Sequence, residues 1–228
     1  GGADAGYKIE RSLRFNSADS SSLIRQVTTK GSTTKFTWAG WIKRGKLSSG
    51  AQNIFSGSTG TDTGAYFCFP DNSSNALGTA DALCFKSDNG AGGGSVETDA
   101  VFRDPSAWYH VVLVVDTTQA TASNRVKIWV NGVSQSLSSS SSPGYPNLNA
   151  ELSINDYGHA AIGAEANGSS SSVRFYGDFY LADVHFLDGI AVSNPDGVFG
   201  EYDDNNVWQP KEFAESYTTS GVSFDFAE

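Results

Sequence analysis

Few side chains in this 228-residue chain stand in patterns that make or break bonds. Retaining glycoside cleavage needs two carboxyl groups about 5–5.5 Å apart, which Glu-x-Asp-x-Glu on one strand supplies. The nearest match is Glu97-Thr98-Asp99, where Val101 stands in place of the second Glu. The histidines, His110, His159 and His185, have no Gly-x-Ser-x-Gly elbow to serve. His110 and His185 lie inside strand-like runs and read as packing or hydrogen-bonding groups. No residue is therefore assigned a catalytic role. What remains is recognition: an exposed ring stacks on the apolar face of a sugar while short polar groups bond its hydroxyls. Tyr157, within Asn155-Asp156-Tyr157-Gly158-His159, suits that role best, with Asp156 and Asn155 beside it; Trp129, Tyr66 and Asn167 follow. Trp38, Trp41 and Trp108 are expected in the core.

The elements that must position these groups are short and β-like. Trp108–Asp116 (WYHVVLVVD) has an unbroken apolar centre, as expected of a strand covered on both faces. Val126–Val130 alternates, and Asn131-Gly132 then turns the chain, since both residues tolerate positive φ. Phe36–Lys43 is dense in aromatics. Further strands are expected at Tyr7–Asn16 (with a bulge near Arg11-Ser12), Asn53–Ser56, Ala65–Phe69, Ala82–Lys86, Ser95–Phe102, Ala161–Ala164, Arg174–Leu187 and Gly221–Phe226. Short strands at near-regular spacing indicate an antiparallel sandwich or barrel. A short helix near Pro195–Phe199 is the one exception expected. Ser134–Pro143 and Asn167–Ser172 read as exposed loops. With no linker dividing it, the chain reads as one domain over residues 1–228, whose first and last strands lie side by side. Cys68 and Cys84 sit in strand-like runs; neighbouring strands would permit a bridge, the alternative being two buried free thiols, and their spacing does not suit zinc.

The composition agrees with β structure: 14 Phe, 9 Tyr, 5 Trp and 25 Gly. A net charge of −10 without a basic patch excludes nucleic acid as a partner, because phosphate contacts need clustered cations. No apolar run approaches the ~20 residues of a membrane span, so no membrane insertion is expected. The absence of Met predicts a processed product or a fragment of a longer chain.

Three stretches carry a family likeness. Phe36-Thr37-Trp38-Ala39-Gly40-Trp41-Ile42-Lys43, then Trp108-Tyr109-His110-Val111-Val112 with Val126-Lys127-Ile128-Trp129-Val130-Asn131-Gly132, and finally Phe179 to Gly189 resemble the laminin-G-like family within the concanavalin A-like lectin superfamily. The resemblance implies an all-β fold, an antiparallel β-sandwich of the concanavalin A-like/laminin-G jelly-roll type. It also implies one Ca²⁺ at a rim, for which Asp116 with Asp71-Asn72, or with Asn155-Asp156, offers hard oxygen ligands. A narrower likeness, in Arg11–Asn16, Thr37–Gly45 and Asp183 through Tyr202 to Lys211, is to laminin-G-type domains of tailed-phage virion proteins. It implies a non-catalytic module of a tail fibre, capsid fibre or decoration protein, at the particle surface or otherwise extracellular. Its partners would be a cell-surface polysaccharide or other virion proteins. The alternatives are a purely structural module making subunit contacts, as in a homotrimer, and a secreted cellular lectin or adhesin.

Overall fold

Side-chain alternation along two long strands sets the architecture. In β3 (Lys35–Arg44), Phe36, Trp38 and Ile42 enter one core, while Ala39 belongs to a second cluster on the opposite face. In β8 (Trp108–Asp116), Val111, Leu113 and Val115 join the first core, and Val112 and Val114 the second. The computed structural model describes residues 6–47, 50–60, 63–71, 78–88, 92–139, 144–167, 172–218 and 221–226. It pairs β3 with β8 antiparallel from Lys35–Asp116 to Lys43–Trp108.

The first sheet runs β1 (Leu13–Phe15), β15 (Phe179–Asp188), β3, β8, β9 (Val126–Val130) and β10 (Val133–Ser134), and β18 (Val222–Phe224) also pairs with β15. The second runs β11 (Leu137–Ser139), β7 (Gly94–Val101), β6 (Ala82–Ser87), β5 (Thr63–Phe69), β4 (Gln52–Gly60), β12 (Gly158–Ile162) and β2 (Leu23–Val27). Two small hairpins, β13 (Glu165–Ala166) with β14 (Val173–Arg174) and β16 (Gly200–Tyr202) with β17 (Trp208–Pro210), complete the set. The fold is an antiparallel β-sandwich of the concanavalin A-like/laminin-G jelly-roll type. Its two sheets close on aromatics: Trp38 meets Phe67 edge-on at 5.8 Å, and Phe36 meets Phe85 at 6.3 Å. A buried Arg44–Asp81 ion pair at 3.0 Å, with the guanidinium 3.8 Å over the Phe69 ring, plugs one end.

Beyond Gly189 the chain folds back over the outer face of the first sheet. Phe199, Phe213 and Tyr217 cover Ala39, Val112, Val114, Trp129 and Leu187, making a third layer. Pro195–Phe199 is a turn rather than the expected helix: the N–H groups of Val198 and Phe199 both donate to the Pro195 carbonyl, and Gly197 takes a positive φ of 78°. A further correction concerns Tyr7–Asn16, where only Leu13–Phe15 pairs as a strand. It sits end to end with β18 along one edge of β15, so the terminal strands are neighbours without pairing to each other. Leu137–Ser139, expected in a loop, forms the outermost strand of the second sheet; residues 140–143 and 168–171 lie outside the described residues. Cys68 and Cys84 stand directly opposite on β5 and β6 as buried thiols not joined by a disulfide.

Candidate functional site

Strand parity also sends two tryptophans outward. Trp41 of β3 lies between Ala182 of β15 and His110 of β8, on the face opposite Trp38. Trp108 opens β8 opposite Lys43. Both indoles are only half-buried, because the third layer stops short of them. They line a groove of about 740 Å³ whose floor includes Ala182, within the size range of small-ligand sites. One wall is the irregular segment Tyr7–Ser12, and the other is Val207–Pro210 around β17.

Each wall has a physical anchor. The Tyr7 hydroxyl donates to Asp183 Oδ1 at 3.1 Å, and Asp183 takes a positive φ of 49° at a bulge in β15. Burial, then the Asp183 charge, pushes the Tyr7 phenol up to about 12. On the other side Trp208 is clamped between two glycines. A Cβ on Gly132 would meet its ring at 2.5 Å, and one on Gly200 at 2.3 Å. Tyr202 closes edge-on against Trp208 at 4.9 Å and donates its hydroxyl to the Asn131 carbonyl at 3.1 Å. Under these indoles lies His110, its ring 5.0 Å from Trp41 and 5.8 Å from Trp208. Burial, then the neighbouring His185, lowers its pKa to about 3, so the ring is neutral at physiological pH. His185 is held by the Tyr217 hydroxyl at 2.6 Å from Nδ1, and Asp183 Oδ1 lies 3.2 Å from Nε2 without hydrogen-bond alignment. The groove therefore offers rigid aromatic faces from Trp41 and Trp108, with Trp208, 8% exposed, packed into its wall and exposed Lys8, Glu10 and Arg11 along the opposite lip.

The residues singled out in the sequence fall in three other places. Tyr157 projects from the rim, 60% exposed, while its neighbours are engaged. Asn155, at φ 62°, donates its amide to Asp188 at 2.6 Å and accepts from the Gly31 N–H. Asp156 accepts from the Tyr157 N–H and pairs with Lys30 at 3.3 Å. Tyr66 and Asn167 do come together, on the outer face of the second sheet. There Tyr66 is 5% exposed with its hydroxyl closed on Asp88, so its ring offers no face for stacking. Trp129 is 7% exposed beneath the third layer and likewise offers none.

The calcium pairing of Asp116 with Asp71 does not fit. Asp116 sits beside Lys35, at one end of β3. Asp71 follows β5, whose Phe69 ring lies under Arg44 at the other end; a ten-residue strand spans about 30 Å. Asn72 lies outside the described residues. The Asp116 carboxylate is itself occupied as an Asx turn, by the Thr118 N–H and hydroxyl and by the Gln119 amide. Among the described residues no group of three or more His, Cys, Asp or Glu converges on a common point. Glu97, the nearest approach to a glycosidase carboxylate, accepts from the Thr79 N–H at 2.6 Å and the Thr79 hydroxyl at 2.9 Å. Asp99 accepts from Ser138.

A family model described as the concanavalin A-like lectin/glucanases superfamily matches residues 16–189. The chain belongs to this superfamily. Among superfamily-like solved structures, it is similar to the native heptameric SAP-like pentraxin of Limulus polyphemus, with 17% identity and a TM-score of 0.54 over 96% of this chain and 89% of that one. It is similar to domains LG4-5 of mouse laminin alpha1, with 10% identity and a TM-score of 0.52 over 97% of this chain and 48% of that one. It is also similar to tailspike protein 2 of the Escherichia coli O157:H7 bacteriophage CAB120, with 13% identity and a TM-score of 0.50 over 80% of this chain and 23% of that one. At such identities the likeness is one of fold. No curated protein sequence matches the chain. The superfamily match covers the groove's floor, Trp41, Trp108 and Ala182, whereas Tyr7–Ser12 and Val207–Pro210 lie outside residues 16–189.

Trp41 and Trp108, expected in the core, line the groove instead, and Trp208 was not singled out. For the first two the signal was present in the parity of β3 and β8. Trp208 carries no such signal, because its three-residue strand belongs to neither large sheet.

Proposed function

We propose that this chain is a non-catalytic carbohydrate-binding module of a phage virion appendage, with its glycan seated in the tryptophan groove. The observation that carries the reading is two half-buried indoles, Trp41 and Trp108, in one open groove on the outer face of the first sheet, braced by the buried Trp208 and faced by a charged lip. Indole faces take up the apolar side of a pyranose, and Lys8, Glu10 and Arg11 bond its hydroxyls. The engaged carboxylates of Glu97 and Asp99 support binding without cleavage. Membership of a superfamily that includes lectins supports the ligand class. The tailspike similarity supports the virion setting, in which the module serves host attachment at the particle surface.

The test is retention on arrayed bacterial surface polysaccharides, comparing the unaltered chain with Trp108→Ala and Tyr157→Ala. Loss for Trp108→Ala alone is the expected result. Loss for Tyr157→Ala alone moves the site to the rim, and no retention by the unaltered chain returns the module to a structural role. Mass spectrometry of intact particles tests the setting, since a virion module is found in them.

A further inference from the structure

We infer that the cleft at the open edge of the sandwich binds a medium-chain aliphatic carboxylate, with its head on Arg25 and its tail between the sheets. The two sheets are joined on one side, where the chain passes from β10 at Ser134 to β11 at Leu137. On the other side the first sheet ends at β1 and β18 and the second at β2, and residues 16–22 carry the chain from β1 across to β2. Between β2 and β18 lies a cleft of about 250 Å³ with Trp38, Phe55, Ile162, Val184 and Phe186 in its depth. Leu23 and Ile24 stand at its mouth, 39% and 41% exposed. Since an apolar cavity of about 150 Å³ admits one benzene ring, there is room here for roughly eight to ten carbons.

Arg25 gives the cleft its polarity. It lies between Leu23 and Val27 on the same face of β2, opposite Ala160, and that face is turned toward the other sheet. Several other cations of this acidic chain are paired, Arg14 with Asp178, Lys35 with Asp116, Arg103 with Asp81 and Arg174 with Glu165. Arg25 has no carboxylate partner among the described residues. A guanidinium fork matches a carboxylate in two parallel hydrogen bonds, and the apolar depth behind it takes an alkyl chain but not a sugar. The inference is independent of the tryptophan groove, which lies on the outer face of the first sheet.

Calorimetric titration of the intact chain with decanoate, decanol and butyrate tests it. Decanoate should bind saturably at one site and raise the melting temperature, and butyrate, with too short a tail, should not. Arg25→Gln should weaken decanoate by about tenfold or more while leaving decanol unchanged. Ala160→Leu, which fills the cleft, should abolish both; heat unfolding of each variant confirms that it is folded. Absence of decanoate binding overturns the proposal, as does equal weakening of decanol and decanoate by Arg25→Gln. A sedimenting dimer that β2 substitutions dissociate also overturns it and gives the edge to a second copy.

Discussion

Trp38 and Trp41 sit three residues apart on one strand, and that odd spacing gives them opposite work. Trp38 holds the two sheets together, while Trp41 and Trp108 of the neighbouring strand face the groove. Trp108→Ala should therefore reduce glycan retention by about 1–3 kcal/mol, the hot-spot scale, with a much smaller change in melting temperature, read by array binding and calorimetry together. His110 makes a separate prediction about pH. Its folded pKa of about 3 lies below the ordinary 6.5, so between those values the unfolded chain takes up a proton that the native ring refuses. Stability from this residue is thus intact above pH 6.5 and falls toward pH 3, by up to about 1.4 kcal/mol per unit. His110→Leu should flatten that slope in urea titrations run between pH 6 and 4; an unchanged slope would mean the imidazole is hydrated.

Among the elements, the β16–β17 hairpin stands or falls with Trp208. Gly200→Ala drives a methyl group against the indole, 2.3 Å from Cζ2. It should destabilise the chain by about 1–3 kcal/mol through overpacking and weaken glycan binding, since the displaced ring is part of the groove. Val112→Ala removes a fully buried side chain from beneath the third layer; a loss of about 1–3 kcal/mol in denaturant unfolding is expected. The strands that these residues occupy were legible in the sequence wherever alternation ran long enough. β3 and β8 emerge within a residue of their observed ends, and Asn131-Gly132, at φ 50° and 76°, turns β9 into β10 as its chemistry requires. β2 was not legible, because Leu23-Ile24-Arg25-Gln26 leaves no polar–apolar beat on an edge that buries only Val27. The groove was hidden for a similar reason. Its walls are an irregular segment and a three-residue strand, neither with a period, and only long-range contacts such as Tyr7 with Asp183 put them there.

At the scale of the whole molecule, the layer after Gly189 converts the first sheet from one-sided to two-sided burial. Truncation at Gly189 would uncover Val112, Val114, Trp129 and Leu187 together, an apolar patch that soluble proteins seldom leave open. Such a chain should bind a hydrophobic dye and self-associate, as followed by dye fluorescence and light scattering. The same layer separates two requirements that most binding sites must satisfy at once. The residues that close the sandwich and those that wall the groove come from different lengths of chain, the latter outside residues 16–189. Selection can thus rewrite Tyr7–Ser12 and Val207–Pro210 without touching a single side chain between the sheets, so the walls of the groove can drift quickly on a scaffold that hardly changes.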